Sequence, residues 1–212
     1  MPRVTAVCVL HALLAEPTNP DGTTAIDKRA IDGRVPVGPL GLAGDRQMDR
    51  RHHGGAEFAV YLYADEDAAW WAAELGRDIP PGLFGENLRT SGLDLSGTRI
   101  GQRWRVGEAL VLEVTACRTP CATFARRMGE PHWVKQFTQR RAPGAYARVV
   151  VPGAVGVGDQ VVPLGQPDHD VTVADVLPPV EPGAFARLLD AERAGAVDLS
   201  ERMRRAAVKF TA

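Results

Sequence analysis

Two cysteines stand four positions apart in the run C-R-T-P-C at residues 117–121, and a third stands at position 8. Thiols at this spacing could form a disulfide, bind a metal ion, or include one reactive thiolate. Four steps of extended chain span about 13 Å, whereas a disulfide needs its Cα atoms within about 7 Å. Because Pro120 also favours extended backbone at Thr119, a disulfide between Cys117 and Cys121 is disfavoured.

A zinc site has little support in the sequence. The spacing of the two cysteines lies within the range that zinc ligands use. However, no second pair of cysteines follows, and the nearest histidine is the lone His132. A working thiol therefore remains as the third interpretation of the pair.

The two cysteines differ in their surroundings. Cys117 ends the apolar stretch L-V-L-E-V-T-A, whereas Cys121 precedes A-T-F-A-R-R-M, which is predicted to form a short helix ending at Gly129. A helix N-terminus and neighbouring arginines such as Arg118 favour the thiolate. Cysteine is also often a small buried hydrophobic residue, so on the residues alone Cys121 is either reactive or structural. Cys8, inside an apolar strand, is predicted to be structural.

Two glycine-flanked polar segments supply further candidate groups. G-D-R-Q-M-D-R-R-H-H-G-G contains Asp45 and His53, and F-G-E-N-L contains Asn87, whose amide offers a donor and an acceptor to the edge of a heterocycle. Lys28, in the run D-K-R, could meet a phosphate. Each segment taken alone is equally typical of a solvated loop.

The composition describes an ordinary globular protein. With 212 residues, 45% of them hydrophobic and 24% charged, the chain can bury a core of one domain. A net charge of −1 argues against non-specific binding to nucleic acid or to an anionic membrane. No run reaches the roughly 18 apolar residues of a spanning helix, and an odd number of cysteines does not make a secreted disulfide framework. We expect a cytoplasmic protein, with a homodimer as the default assembly.

Short apolar strands separated by glycine turns predict a mainly β (α+β) fold, either a barrel or a sandwich. The helical pattern of residues 64–75 ends at Gly76. After Pro167 the pattern changes to three short helices, two of them at 183–195 and 199–210. The predicted domains are therefore a β domain, 1–166, and a helical extension, 167–212. The predicted strands are 4–14, 59–63, 98–100, 103–106, 109–115 and 147–151.

Eight segments taken in order resemble the pattern of MOSC-domain proteins of the YiiM type. They are I-D-K-R, G-L-A-G-D-R-Q-M-D, H-G-G, F-G-E-N-L, I-G-Q-R-W-R-V-G-E-A, R-T-P-C, P-G-A-Y-A-R-V and G-V-G-D-Q-V. The similarity covers most of residues 1–165, and the tail is similar to the three-helix extension of YiiM-like members. No single motif is specific, but eight in the same order make a strong signal.

The resemblance implies a MOSC-type β-barrel with peripheral helices that binds molybdenum cofactor, a pterin with a dithiolene and a phosphate. It implies that Cys121 of the R-x-P-C motif ligates molybdenum and that Cys117 is incidental. It further implies that Asn87, with Gly85 and Glu86, contacts the pterin. Lys28 and Arg118 would neutralise the charge of the phosphate or the dithiolene, and Asp45 and His53 would handle protons.

The activity that the resemblance implies is two-electron reduction of N-hydroxylated compounds, such as N-hydroxylated purines, hydroxylamines or amidoximes. We find no Rossmann fingerprint and no cysteine set for an iron–sulfur cluster in the sequence. Electrons are therefore expected from a separate flavin or iron–sulfur reductase. Two alternatives stay open: a sulfur transferase with a persulfide on Cys121, and a non-enzymatic carrier of the cofactor.

Overall fold

The computed structural model describes residues 1–19, 21–48 and 54–211, in which strands outnumber helices. The α-helices of these residues are α1 (Asp65–Leu75), α2 (Ala122–Met128), α3 (Trp133–Arg140), α4 (Ala184–Arg193) and α5 (Glu201–Thr211), with a 3₁₀ turn at Ala56–Phe58. The strands are β1 (Arg3–Ala15), β2 (Thr23–Ala30), β3 (Val35–Gly38), β4 (Gly41–Leu42), β5 (Val60–Ala64), β6 (Leu88–Ser91), β7 (Arg103–Val106), β8 (Leu110–Cys117), β9 (Ala145–Val151), β10 (Gly153–Val155) and β11 (Val161–Pro163). None of these helices has the length and apolar character needed to cross a membrane.

Eight strands form one sheet in the order β11-β7-β8-β9-β5-β6-β1-β2, and β10, β3 and β4 form a second, small sheet. Pairing in the large sheet is antiparallel except between β5 and β6. All five residues of β5 are buried, as expected for a strand that is covered on both faces. The predicted mainly β fold with peripheral helices is confirmed.

The large sheet does not close into the predicted barrel. The first half of β1 pairs with β6, and its second half carries β2, so β2 and β11 are the two ends of the sheet. Near its start, β1 meets the residues around the beginning of β11 through the isolated bridge Arg3–Gln160 and backbone hydrogen bonds of Pro2 and Val4, which do not form a ladder among the described residues. The edge strand β11 has three residues and ends at Pro163, which cannot donate a ladder hydrogen bond.

The two predicted glycine stops are confirmed. α1 ends before Gly76 at φ 61°, and α2 ends before Gly129 at φ 68°, both in the left-handed region that glycine adopts without strain. Helix α3 and strand β2 were not predicted. The predicted strand 98–100 is wrong, because these residues contribute only one isolated bridge, from Arg99 to Thr172.

The carboxy-terminal extension contains two helices in its described residues, not three. Where the first was predicted, the Asp175 carboxylate accepts hydrogen bonds from the backbone N–H and the hydroxyl of Thr172, which closes a turn. Pro178 then stops any helix after too few residues. The boundary at 166/167 stays a prediction, although apolar residues on both sides of it pack into one hydrophobic cluster.

Arg141 joins the extension to the body of the protein. It follows α3 with φ 55° and donates to the carbonyls of Leu177 at 3.1 Å, Pro179 at 3.0 Å and Ala174. Five donors in a rigid planar fork suit arginine to this task. One side chain therefore fixes the path of the turn at 174–179.

We predict that Arg141→Met lowers the free energy of unfolding by about 2–3 kcal/mol, because three carbonyls lose a donor worth about 1 kcal/mol each. Chemical denaturation of the purified protein measures this change. The control is Arg193→Met, which removes an exposed pair with Asp190 and should cost less than about 0.5 kcal/mol. Equal effects of the two substitutions would contradict the assigned role of Arg141.

Candidate functional site

A cavity of about 310 Å³ lies between the large sheet and the carboxy-terminal helices. Its lining comes from separate parts of the chain: β2, the segment 45–48, β5, the loop 85–87, the end of β8 with the residues that follow, and the extension. Cys121 lies in this lining together with five other predicted side chains or backbone groups. These are Lys28, Asp45, Asn87, Arg118 and Gly85, of which Gly85 supplies backbone.

Cys121 is the most accessible of the three free cysteines. It precedes the first residue of α2 with extended backbone, φ −131° and ψ 175°, and is partly exposed at the cavity. Burial raises the pKa of the Cys117 thiol to about 11 and that of Cys8 to about 12. Because a thiolate is the reactive form, the two buried thiols are poor nucleophiles near neutral pH, although Cys117 also lines the cavity.

Lys28, Asp45 and Asn87 meet at one carboxylate oxygen. Asp45 Oδ2 accepts hydrogen bonds from Lys28 Nζ at 2.6 Å and from Asn87 Nδ2 at 2.7 Å. Asn87 Oδ1 in turn accepts from the backbone N–H of Tyr61 at 3.1 Å, which fixes the orientation of the amide. The other oxygen, Asp45 Oδ1, is buried with no hydrogen-bond partner among the described residues. A buried acceptor of this kind is costly unless a ligand or water donates to it.

Arg118 places a buried cation in the wall of the cavity. Its guanidinium lies 4.4 Å from the ring centroid of Phe124 and 5.0 Å from that of Tyr61, and it donates to the hydroxyl of Tyr146 at 3.0 Å. Aromatic faces stabilise a cation through the ring quadrupole. Arg118 Nε has no partner within the part of the chain that the structure describes.

The cavity is cationic although the whole chain carries a net charge of −1. Its described lining contains four cationic side chains and a single carboxylate. A concave site with one sign of charge and low-dielectric walls attracts ligands of the opposite sign. The cations are Lys28, Arg46, Arg118 and Arg202, and the carboxylate is that of Asp45.

Glu86 does not line the cavity, which corrects its prediction as a cofactor-binding side chain. Its side chain is completely buried and accepts hydrogen bonds from the backbone N–H groups of Gly82 and Phe84 and from Arg89. The carboxylate therefore organises its own loop. His53, predicted to handle protons, lies outside the described residues.

Glycines allow this loop to approach β2 closely. A Cβ atom at Gly82 would lie 2.3 Å from the carbonyl oxygen of Lys28, and one at Gly85 would lie 3.0 Å from the side chain of Ile26. Both glycines have positive φ values, 88° and 75°. The loop can therefore press against the strand that carries Lys28 only because these two positions lack side chains.

The sequence did not reveal that two tyrosines and the carboxy-terminal extension line the cavity. Tyr61 and Tyr146 line the cavity with ring centroids 4.9 Å apart. A signal for Tyr146 was present, because it lies within the P-G-A-Y-A-R-V segment. Tyr61 carried no such signal, since in a buried strand a tyrosine is typical of the core.

A metal at this site would need to bring most of its ligands with it. Among the described residues no group of three or more His, Cys, Asp and Glu side chains is placed to hold an ion. The cavity offers one partly exposed sulfur, backbone and amide groups, and cations. That donor set fits an anionic, ligand-bearing cofactor whose soft metal accepts a thiolate.

We predict that a small alkylating reagent modifies Cys121 selectively at pH 8, since it is the only cysteine that is not buried. At that pH the thiolate fraction of Cys117 is about one in a thousand, because its pKa is raised to about 11. Intact mass and peptide mass spectrometry after timed exposure to iodoacetamide measure the site and rate. Equal labelling of Cys117 in the folded protein would contradict the assignment.

Comparison with known proteins identifies the family of this chain. The family profile of the MOSC domain matches residues 49–162. Protein YiiM of Escherichia coli is 32% identical over 182 residues, covering 81% of this chain and 80% of YiiM, and a protein of Gibberella moniliformis named reductase is 32% identical over 73% of this chain and 28% of its own length. The crystal structure of YiiM from Geobacillus stearothermophilus superimposes with a TM-score of 0.78 at 22% identity, with both chains fully covered. The chain belongs to the MOSC-domain family and is of the YiiM type.

Proposed function

We propose that this protein is a molybdenum-cofactor-dependent reductase of N-hydroxylated compounds. The observation that carries the proposal is the position of Cys121, a partly exposed thiol in the lining of a cavity with four cations and one carboxylate. Membership of the MOSC family, which is associated with molybdenum cofactor, supports it. The name of the Gibberella moniliformis relative, reductase, favours a redox function for the matching part of the chain.

The residues of the cavity fit the chemical groups of this cofactor. Thiolates are ligands of soft, redox-active metals, and Cys121 is placed to act as one. Arg118 and Lys28 offset the negative charge of a phosphate or a dithiolene. Asn87 and the backbone at Gly85 offer hydrogen bonds to the edge of a pterin. The unpartnered Asp45 Oδ1 and Arg118 Nε are groups that a polar ligand would satisfy.

When bound, the cofactor supplies the two electrons that break the N–O bond. The overall reaction also consumes two protons and releases an amine, or its analogue, and water. Asp45 is the proton-handling group among the described residues that line the cavity, since its carboxylate lies there with one oxygen unpaired. Lys28 and Asn87 hold that carboxylate in place through its other oxygen.

Four of the polar groups at the cavity are shielded from water. Tyr61 and Asn87 are almost fully buried where they meet the cavity, and Lys28 and Asp45 expose only 11% and 7% of their side chains. Charges act more strongly in such surroundings than in bulk water. Electron supply by a separate flavin or iron–sulfur reductase forms part of the proposal, and a homodimer stays a prediction.

We predict that the protein purified from a host that makes the cofactor contains molybdenum and pterin, and that Cys121→Ser reduces both at least about tenfold, because a metal ligand is lost. Elemental analysis and pterin fluorescence measure this. Cys117→Ser is the matched control, since Cys117 lines the same cavity but is buried, and should keep its molybdenum.

The same preparations separate the alternatives. Wild-type protein without molybdenum would contradict the proposal, and cyanide-labile sulfur on Cys121 in that case would indicate a sulfur transferase. Molybdenum without turnover of an N-hydroxylated compound, with reduced viologen as donor, would indicate a carrier of the cofactor.

We predict that Lys28→Met weakens retention of the cofactor by roughly ten- to a hundredfold, because a charge-assisted hydrogen bond worth about 1.5–3 kcal/mol is lost. The molybdenum content after dialysis at increasing ionic strength measures this. Lys135→Met, which removes an exposed lysine on α3, should leave retention unchanged. Retention that is the same in both variants would show that Lys28 does not bind the cofactor.

A further inference from the structure

The carboxy-terminal extension supplies an apolar part of the cavity lining. With one exception, Arg202, the cavity-lining residues after position 150 are apolar, whereas the thiol, the carboxylate and the other three cations come from residues before 122. The extension thus contributes mainly apolar surface, whereas most of the charged groups of the cavity come from other parts of the chain. The apolar side chains that matter most here are Val180, Phe185, Met203, Ala206 and Phe210.

Phe210 has unusual surroundings within this apolar lining. It lies in the last turn of α5, lines the cavity, and still exposes 65% of its surface. Its ring centroid is 5.3 Å from that of Phe185 on α4, at an interplanar angle of 57°. An exposed apolar residue alone means little, but this ring adjoins a cavity and a second aromatic ring, so a ligand that entered would cover apolar surface on both.

Helix α5 is anchored independently of Phe210. The hydroxyl of Ser200 accepts from the backbone N–H of Met203 at 3.1 Å, and Glu192 of α4 forms an ion pair with Arg204 at 2.6 Å. The carboxylate of Glu57 accepts from the backbone N–H of Glu201 at 2.8 Å. The helix therefore stays docked when the ring at position 210 is shortened.

We propose that Phe185 and Phe210 form a wall that binds the aromatic part of the substrate and so selects aromatic N-hydroxylated compounds over small ones. This inference rests on the proposed function, because the anionic cofactor takes the cationic part of the cavity and leaves the apolar part to the substrate. The reacting N–O group itself cannot distinguish a large substrate from a small one. Discrimination by an apolar wall follows the apolar area that is covered.

Two amidoximes that share a reacting group test the wall. Benzamidoxime carries a phenyl ring where acetamidoxime carries a methyl group. Phe210→Ala is expected to raise the KM for benzamidoxime about tenfold, the effect of uncovering part of one aromatic ring, with kcat unchanged within about twofold. The kinetic constants for acetamidoxime are expected to remain unchanged in the holoenzyme with reduced viologen as donor.

Two further variants control for general damage. Val208→Ala shortens another exposed residue of α5, 53% exposed and outside the cavity lining, and should change neither substrate's constants. Phe185 is only 6% exposed, so Phe185→Leu is used to keep the core filled while removing the ring. It should act on benzamidoxime in the same direction as Phe210→Ala.

A loss of activity that is equal for both amidoximes, or an equal effect of Val208→Ala, would overturn the proposed wall. Wild-type holoenzyme that reduces neither compound would instead overturn the proposed function. In that case calorimetric titration of benzamidoxime into the purified protein still decides the inference. Wild-type protein that binds no more tightly than Phe210→Ala would refute it, and weaker binding by the variant would support it.

Discussion

Glu86 and Arg89 form a buried ion pair, in which Arg89 Nε donates a hydrogen bond to Glu86 Oε1 at 2.9 Å. The same carboxylate accepts from the backbone N–H groups of Gly82 and Phe84, so one buried acid closes the whole loop. Taking one partner from such a pair typically costs about 3–5 kcal/mol, because the other charge is left buried and unpaired.

The cavity depends on this loop in two ways. The loop presents Asn87, which hydrogen-bonds to Asp45, and it presses at Gly82 against the backbone of Lys28. Three segments that are distant in sequence are thereby brought to one carboxylate oxygen. The ionic pair of Glu86 and Arg89 does not line the cavity, which explains how a charged residue next to the cavity can be structural.

Local signals in the sequence predicted much of the fold and part of the site. Gly76 and Gly129 end their helices as predicted, because left-handed backbone at a helix end is a local property of glycine. The predictions of a strand at 98–100 and of the first of three carboxy-terminal helices were wrong. Residues 98–100 form only an isolated bridge, and a local turn closed by Asp175, followed by Pro178, replaces the helix. Closure of the sheet could not be predicted, since it depends on how β1 divides its pairing between β6 and β2.

The sequence also could not show which of two neighbours in one motif, Glu86 or Asn87, has its side chain at the cavity. Asn87 lines the cavity, whereas the carboxylate of Glu86 accepts hydrogen bonds from backbone N–H groups of its own loop. Helix α3 was missed although Trp133 and Phe137 have helical spacing, because the apolar pattern is confined to two turns. Those two rings pack against Phe124, the residue on which Arg118 rests.

The two cysteines of C-R-T-P-C show how the end of a strand can set reactivity. Cys117 is the last residue of β8 and pairs with Ala145 of β9; it is buried, and this burial raises the pKa of its thiol to about 11. Cys121 comes after the strand has ended and before α2 begins, where the backbone is extended and the side chain is partly open to the cavity. Arg118, which lies between the two cysteines, packs against the rings of Tyr61 and Phe124 and places its positive charge at the cavity. To bind a metal, the thiol of Cys117 would have to form a thiolate where it is buried, which is unfavourable. The position at which the strand ends therefore determines which of the two sulfurs can form a thiolate more easily.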